Sequence, residues 1–356
     1  MLLSLQLKNI YTKLRYWENW PYLAKYIPLS PFWFWYCLRA RSLWFFTPSN
    51  PSITFGGFEG EGKREMYAQL PEGTYPRSIY VQHDELFTLV LERVKAAGFE
   101  YPFAVKPDVG MMGLMFRQIH NDDQFKRYHE LMPSLYIVQE MVNFPLEVSV
   151  FYFRYPWEQT GTITGFLKKE FLEVIGDGRS TLLQLLERYE RVTFRLDEMK
   201  VKHREKLGEI LKKGERYCLS YALNLSRGGK LVSLAHEIDE PLTALFDKLS
   251  LETGTFYYGR YDIRCASIEA LKRGREYSIL EYNGCGAEPH HIYGNGNSLL
   301  KAYKIVLFHW KVLYRISRFN HANGHPTWTY RQGLLFLRAA RKHFSRLKQL
   351  DKLLET

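Results

Sequence analysis

The stretch Ile279-Leu-Glu281-Tyr-Asn283-Gly-Cys-Gly286, taken with Arg260-Tyr-Asp262 shortly before it, decides how this chain reads. Side chains two apart on a strand share a face, so Glu281 and Asn283 point the same way, and Arg260 and Asp262 do too. An Asp, a Glu and an Asn give three hard oxygen ligands. Such a set suits Mg²⁺, which takes one or two carboxylates and completes its shell with water and nucleotide phosphates. A guanidinium beside them is placed to stabilise charge on a group in transfer. Read singly, Asp262 and Glu281 are ordinary surface carboxylates; the partners elsewhere in the chain change that reading.

The rest of the chain supplies partners for that site. Lys106-Pro107-Asp108-Val-Gly110-Met-Met-Gly113 follows the short apolar strand Phe103–Val105. Glycines let backbone fold closely over phosphates, and Lys106 brings charge to them. The Gly-Lys-Ser/Thr ending of a P-loop is absent. Lys63, after Glu59-Gly-Glu61-Gly, is a second phosphate lysine or a solvated loop charge. Lys168, in Lys168-Lys169-Glu170 at a strand end, is a further candidate of the same kind. Gln139-Glu140-Met141-Val142-Asn143, followed by Glu147, reads as a hinge whose backbone meets an adenine edge, with Glu147 on ribose hydroxyls, or as a plain hairpin. Asn224-Leu-Ser226-Arg227-Gly228-Gly229 is an anion-binding turn or a tight turn.

Elements follow from periodicity. A helix is expected over Asp84–Ala97, with Leu86, Leu89, Leu91, Val94 and Ala97 as its apolar stripe and Gly98 as its stop. Strands are expected at Tyr136–Val138, Val148–Phe153 and Thr162–Leu167. Helices are expected at Leu182–Glu190, across the charged region 195–215, at Pro241–Thr253, and through 300–356 with a break at Asn320–Pro326.

Composition bounds the rest. At 356 residues and 46% hydrophobic, the chain can fill one large domain or a few lobes. Net charge is +11, yet residues 1–50 and 301–356 together hold eighteen Lys and Arg against three acids, so the middle is slightly acidic. The ends are aromatic as well as basic. Packing accounts for those aromatics, membrane-surface docking is the next reading, and nucleic acid the third because no motif for it is present. No apolar run is long enough to span a bilayer and no secretory leader is expected, which points to a cytoplasmic protein, peripheral at the inner face of the membrane if the ends dock. Four scattered cysteines without CxxC spacing read as reduced thiols, and Cys285 as a small buried residue. No His or Cys spacing suggests zinc.

In order, Lys63, Lys106-Pro with its glycines, Glu140 and Glu147, Arg260-x-Asp262 and Glu281-x-Asn283-Gly resemble the ATP-grasp carboxylate–amine ligases. The order and spacing look like D-alanine–D-alanine ligases, and Ile175-Gly-Asp177-Gly-Arg179-Ser-Thr181 looks like the ATP-grasp part of cyanophycin synthetase. The resemblance covers roughly residues 58–300. It implies an α+β ATP-grasp fold, two lobes holding ATP between antiparallel sheets, with parts 58–100, 101–155 and 156–300 flanked by basic aromatic segments 1–57 and 301–356. It implies ATP on Lys63, Lys106, Gly110, Gly113, Glu140, Met141, Asn143, Glu147 and Lys168. Two Mg²⁺ ions, with Mn²⁺ as an allowed substitute, would sit on Asp262, Glu281 and Asn283. Arg260 and Lys106 would serve the chemistry and Gly286 the acceptor site. The partners implied are a small-molecule or peptide carboxylate and an amine; a homodimer is compatible. Met111-Met112 departs from the small or polar residues usual in that loop, and the short N-terminal region departs from a D-alanine ligase.

Overall fold

This computed structural model describes residues 17–111, 113–189, 192, 196–220, 229–293 and 296–355. Helices in chain order are α1 (Tyr22–Tyr26), α2 (Ser30–Ala40), α3 (Lys63–Tyr67), α4 (Phe87–Ala96), α5 (Asp122–Leu131), α6 (Leu182–Arg188), α7 (Leu196–Lys202), α8 (Glu240–Thr253), α9 (Ile268–Lys272), α10 (Leu299–Ala322) and α11 (Tyr330–Glu355). Strands are β1 (Ser78–Val81), β2 (Phe103–Pro107), β3 (Arg117–Ile119), β4 (Tyr136–Gln139), β5 (Leu146–Phe153), β6 (Thr162–Glu170), β7 (Leu172–Ile175), β8 (Arg216–Ser220), β9 (Lys230–Ser233), β10 (Tyr258–Cys265) and β11 (Tyr277–Asn283). The protein is α+β, with antiparallel sheets.

The chain divides into two compact units. The smaller comprises Met1–Leu29, Lys169–Val232 and Tyr293–Leu299. In it, β7 pairs antiparallel with β8 over a core of Leu172, Val174, Leu182, Leu186, Met199, Leu211 and Leu219. Thr181 caps α6 by accepting from the Gln184 amide, and Gln184 returns the bond. The region 195–215 is helical only over Leu196–Lys202. Its remainder turns back so that Ile210 bridges Thr181, because that return covers Leu182 and Leu186. The turn at Asn224–Gly228 lies outside the described residues, as does Met112.

The larger unit, Ser30–Lys168, Ser233–Ile292 and Leu300–Thr356, holds the two main sheets. One has the order β1-β4-β2-β3 and is antiparallel throughout. Its far face packs on α4 and α5, with Val90, Val94, Phe125 and Tyr128 fully or almost fully buried. Leu86 and Leu89, expected in the α4 stripe, are exposed; the buried line is Val90 and Val94, supported by Phe87 and Leu91. In the second sheet β11, β10, β5 and β6 follow one another. Tyr261, Ile263 and Ile279 face a core closed by Leu242, Phe246 and Leu249 of α8. Asp239 caps α8 through the Leu242 amide, and Gly254 ends it in a left-handed conformation.

Part of the terminal aromatic set packs, while Phe32, Phe34, Trp35 and Tyr330 stay exposed. Phe45, Phe46 and Phe55 are buried with Val312, Leu313 and Ile316 of α10, and Trp33 lies 5.0 Å from Trp310. Helix α11 braces the first sheet: Leu347 and Leu350 enter its core, and Asp351 accepts from the Met115 amide at 2.8 Å and pairs with Arg117 at 2.9 Å. Among the described residues no helix is long and apolar enough to cross a membrane.

Candidate active site

The site is built on two strand registers. β10 pairs with β11 so that Arg260 faces Asn283 and Asp262 faces Glu281, and with β5 so that Asp262 faces Ser149 and Arg264 faces Glu147. Directly opposed residues share a face, so Arg260, Asp262, Glu281 and Asn283 form one polar patch while Tyr261 and Tyr282 turn into the core. The register slips by one residue after Asp262, leaving Leu280 as a bulge. The bulged carbonyl of Leu280 accepts from Tyr67 Oη at 2.6 Å and from Lys106 Nζ at 3.5 Å.

Within the patch, Arg260 grips Asp262 with two nitrogens, at 3.3 and 3.2 Å. Its third nitrogen donates to the Glu288 carbonyl at 3.3 Å and meets His290 Nε2 at 3.2 Å. The Asn283 amide donates to Asp262 at 3.4 Å. Arg260 and Asp262 side chains are 11% and 9% exposed, so the pair is largely desolvated and its hydrogen bonds hold it in place.

Two of the three phosphate-lysine candidates, Lys63 and Lys106, reach the patch or the bulge beside it. Lys63 opens α3 and extends to Glu281 Oε1 at 3.1 Å and to the Gly110 carbonyl at 3.2 Å. Lys106, on β2, donates to Tyr67 Oη at 3.1 Å. Asp108 ties the two segments, accepting from the Arg64 amide at 2.7 Å while its carbonyl accepts from the Lys63 amide at 3.1 Å. Glu65 closes the same turn through Thr54 and the Gly62 amide.

Charge and burial set the ionisation. Burial, with Lys63 nearby, pushes Lys106 down to about 7 against the pull of Glu281 and Asp108. Glu281 retains 35% of its side-chain surface, yet its carboxylate sits deep enough that burial opposes ionisation; Lys63 and Lys106 overcome this and hold it below the usual range. Burial pushes Glu61 up to about 7, and one of its oxygens is buried without a hydrogen-bond partner. Glu61 is coupled to Lys63 and Glu281 and belongs to the site, although in Glu59-Gly-Glu61-Gly-Lys63 the sequence reading singles out only the lysine. The signal available was an acid two residues from a lysine in a glycine-rich run.

Other sequence candidates fall nearby in different ways. Glu140 accepts from the Arg77 amide at 2.9 Å and pairs with its guanidinium, half-exposed at the end of β4. Met141 is half-buried and Asn143 exposed on the connection to β5. Glu147 pairs with Arg264 at 3.5 Å, and Arg264 donates to the Val142 carbonyl at 2.9 Å, tying that connection to β10. Lys168 is half-buried on β6. Gly113 has a positive φ. Gly286 sits where a Cβ would collide with the Phe58 carbonyl, so only glycine allows this loop to lie against the chain at Gly57. The Gly286 amide donates to the Gly57 carbonyl at 2.9 Å. Cys285 is buried and its thiol is pushed well up by burial, the opposite of what activates a thiolate nucleophile.

Two carboxylates, Asp262 and Glu281, and the Asn283 side-chain amide come together here, and among the described residues no group of three His, Cys, Asp or Glu side chains gathers to hold a metal unaided. That donor set fits Mg²⁺ carried in by phosphate, and it does not fit a closed structural metal site.

No protein-family model matches the sequence, and no curated protein does. Solved structures do. Over 69% of the chain it is similar to a bifunctional glutathione synthetase from Pasteurella multocida, at 16% identity and a TM-score of 0.44, spanning 35% of that protein. Over 74% it is similar to D-alanine–D-alanine ligase from Bacillus anthracis, at 15% identity and 0.41, spanning 69% of it. Over 68% it is similar to the VanG D-Ala:D-Ser ligase from Enterococcus faecalis, at 13% identity and 0.38, and to the ATP-grasp ligase PsnB, at 14% and 0.35, spanning 57% of each. These structures are ligases of the kind the sequence resembles. At such scores the likeness carries no functional weight, which falls on the side-chain geometry.

Proposed function

We propose that the chain is an ATP-dependent ligase of the ATP-grasp kind, joining a carboxylate to an amine through an acyl phosphate. The observation that carries this is the convergence of Lys63 and Lys106, from two segments clamped by Asp108, on the Asp262–Glu281–Asn283 patch beside Arg260. Two cations, three oxygen ligands and a buried guanidinium on one face suit a nucleoside triphosphate whose terminal phosphoryl group is moving. Bound Mg²⁺, held by Asp262, Glu281 and Asn283, would neutralise phosphate charge. Lys63 and Lys106 would hold the phosphate oxygens, with Gly110 and Gly113 folding over them. Glu140, Met141 and Asn143 would line the adenine, and Glu147 the ribose. Lys168 is kept as a nucleotide contact on its place at the end of β6.

The substrate carboxylate attacks the terminal phosphorus, ADP leaves, and the acyl phosphate lies under Arg260. An amine then attacks the acyl carbon, phosphate leaves, and the amine proton passes to solvent. No protein nucleophile is required, and positioning with charge neutralisation supplies the catalysis.

The test is Mg-ATP with hydroxylamine and a panel of carboxylic and amino acids, scoring ADP and hydroxamate together. Hydroxamate with one acid supports the ligase. ADP formed at the same rate with every acid and without hydroxamate would replace it with a kinase or an ATP-hydrolysing module.

A further inference from the structure

Helix α2 buries one side and leaves another bare. Trp33 and Cys37 face the aromatic core, while Phe34, Trp35 and Leu38 stand 57%, 57% and 73% exposed. Pro31, Phe34, Trp35 and Leu38 follow helical i, i+3, i+4, i+7 spacing, so they form one continuous outward strip, with Phe32 beside it at 50%. Such a strip is unlike the scattered single apolar residues of an ordinary surface.

The segments that share the aromatic core with α2 are cationic. Within the larger unit, Ser30–Phe58 and Leu300–Leu350 contain thirteen Lys and Arg and no Asp or Glu. Helix α10 packs directly on α2 through the Trp33–Trp310 contact and the Tyr36–Tyr314 stack at 4.7 Å. Arg39 lies over the Tyr314 ring. Along α10, Lys304, Phe308, Lys311, Arg315 and Arg318 succeed one another at i+4, i+3, i+4, i+3 spacing and are all exposed, four cations with one aromatic ring among them. The acid in α11 before its last turn, Asp351, is taken up by Arg117 and the Met115 amide.

We infer that the outward face of α2, with the basic stripe of α10, docks on an anionic lipid bilayer. Tryptophan and phenylalanine on an exposed helix face partition into the headgroup and acyl boundary, and lysines and arginines around them pair with anionic headgroups. A second copy of the chain would bring like charge against like charge, which opposes self-association through this face. A nucleic acid would use the cations and leave the apolar strip without a partner. The inference stands apart from the ligase reading, since no residue of the nucleotide site takes part.

The test is co-sedimentation of the full chain with vesicles of phosphatidylcholine alone and of phosphatidylcholine mixed with phosphatidylglycerol, at low and high salt. The expected result is at least about tenfold more protein on the anionic vesicles at low salt, released at high salt. Two sets of variants separate the parts: Phe34→Ser with Trp35→Ser and Leu38→Ser, and Lys304→Glu with Lys311→Glu. All five side chains are exposed, so melting temperatures stay near that of the parent, and each set lowers vesicle binding at least about fivefold. Equal recovery on neutral and anionic vesicles, or binding untouched by both sets, would overturn the inference. So would vesicle binding displaced by single-stranded DNA and insensitive to the apolar set, or a dimer in sedimentation velocity that the apolar set dissolves.

Discussion

The ammonium of Lys63 lies 3.1 Å from the Glu281 carboxylate, so the first residue of α3 is held against the last strand of the second sheet. In the proposed reading this contact is the resting form of a metal–phosphate site. Mg²⁺ held by Glu281 would take over the neutralisation that Lys63 provides here, leaving Lys63 for phosphate oxygens.

Glu281→Gln tests that exchange. Without the carboxylate, Lys63 and Lys106 remain to hold phosphate, and the repulsion between Glu281 and the nucleotide is gone. Binding of ATP without Mg²⁺ is expected to strengthen several-fold, and the advantage conferred by Mg²⁺ to shrink by at least about tenfold. Isothermal titration with and without Mg²⁺ reads both. A variant that keeps the parent's Mg²⁺ dependence removes Glu281 from the metal site.

Lys106 gives a proton signature. Its ammonium is pushed down to about 7 by burial first and Lys63 second. Phosphate beside it favours the charged form, so nucleotide binding above that value takes up a proton, and binding well below it takes up none. Titrations at pH 8 in buffers of different ionisation enthalpy are expected to show uptake approaching one proton, absent at pH 6 and absent in Lys106→Gln. Uptake that survives the substitution assigns the proton elsewhere.

Glu61 gives a stability signature. Burial raises its carboxyl from 4.5 to about 7. A raised folded-state value means the folded protein binds the proton more tightly, so this contribution to stability is full below the unfolded value. It is lost as pH climbs from the unfolded value through the folded one. Glu61→Gln stays neutral throughout. It is expected to match the parent near pH 4.5 and to exceed it at pH 8 by on the order of 3 kcal/mol, seen in denaturant melts across that range. A difference independent of pH contradicts the burial of its charge.

Gly286→Ala tests the acceptor loop. A methyl group there meets the Phe58 carbonyl, and backbone on both sides must give way. The expected loss is roughly 1–3 kcal/mol of stability, with a larger fall in turnover than in nucleotide affinity. Unchanged stability would mean that the loop moves freely away from Phe58.

Much of the patch was legible because strand periodicity is rigid. Two-residue spacing alone put Glu281 with Asn283 and Arg260 with Asp262, and the antiparallel register supplied the rest. The Leu280 bulge was not legible, since a one-residue slip depends on how two strands twist together; with it went the Leu280 carbonyl that Tyr67 and Lys106 reach. Tyr67 and Asp108 read as unremarkable residues because their importance comes from tertiary contacts. The α4 stripe went wrong for a local reason. Leucines score as apolar wherever they fall, whereas packing on Phe125 and Phe103 selected the line through Val90 and Val94. The region 195–215 read as one helix because its charges are spaced like a helical surface, but covering the leucines of α6 required the chain to fold back.

The central claim is that Lys63 and Lys106 serve a nucleoside triphosphate above the Asp262–Glu281–Asn283 patch. Isothermal titration of ATP with Mg²⁺ into the protein, and into Lys63→Ala with Lys106→Ala, tests it most directly. The account predicts saturable one-site binding to the parent, weakened at least about a hundredfold in the double variant, while the variant still melts cooperatively. Absence of binding to the parent, or equal affinity in the two proteins, would contradict it.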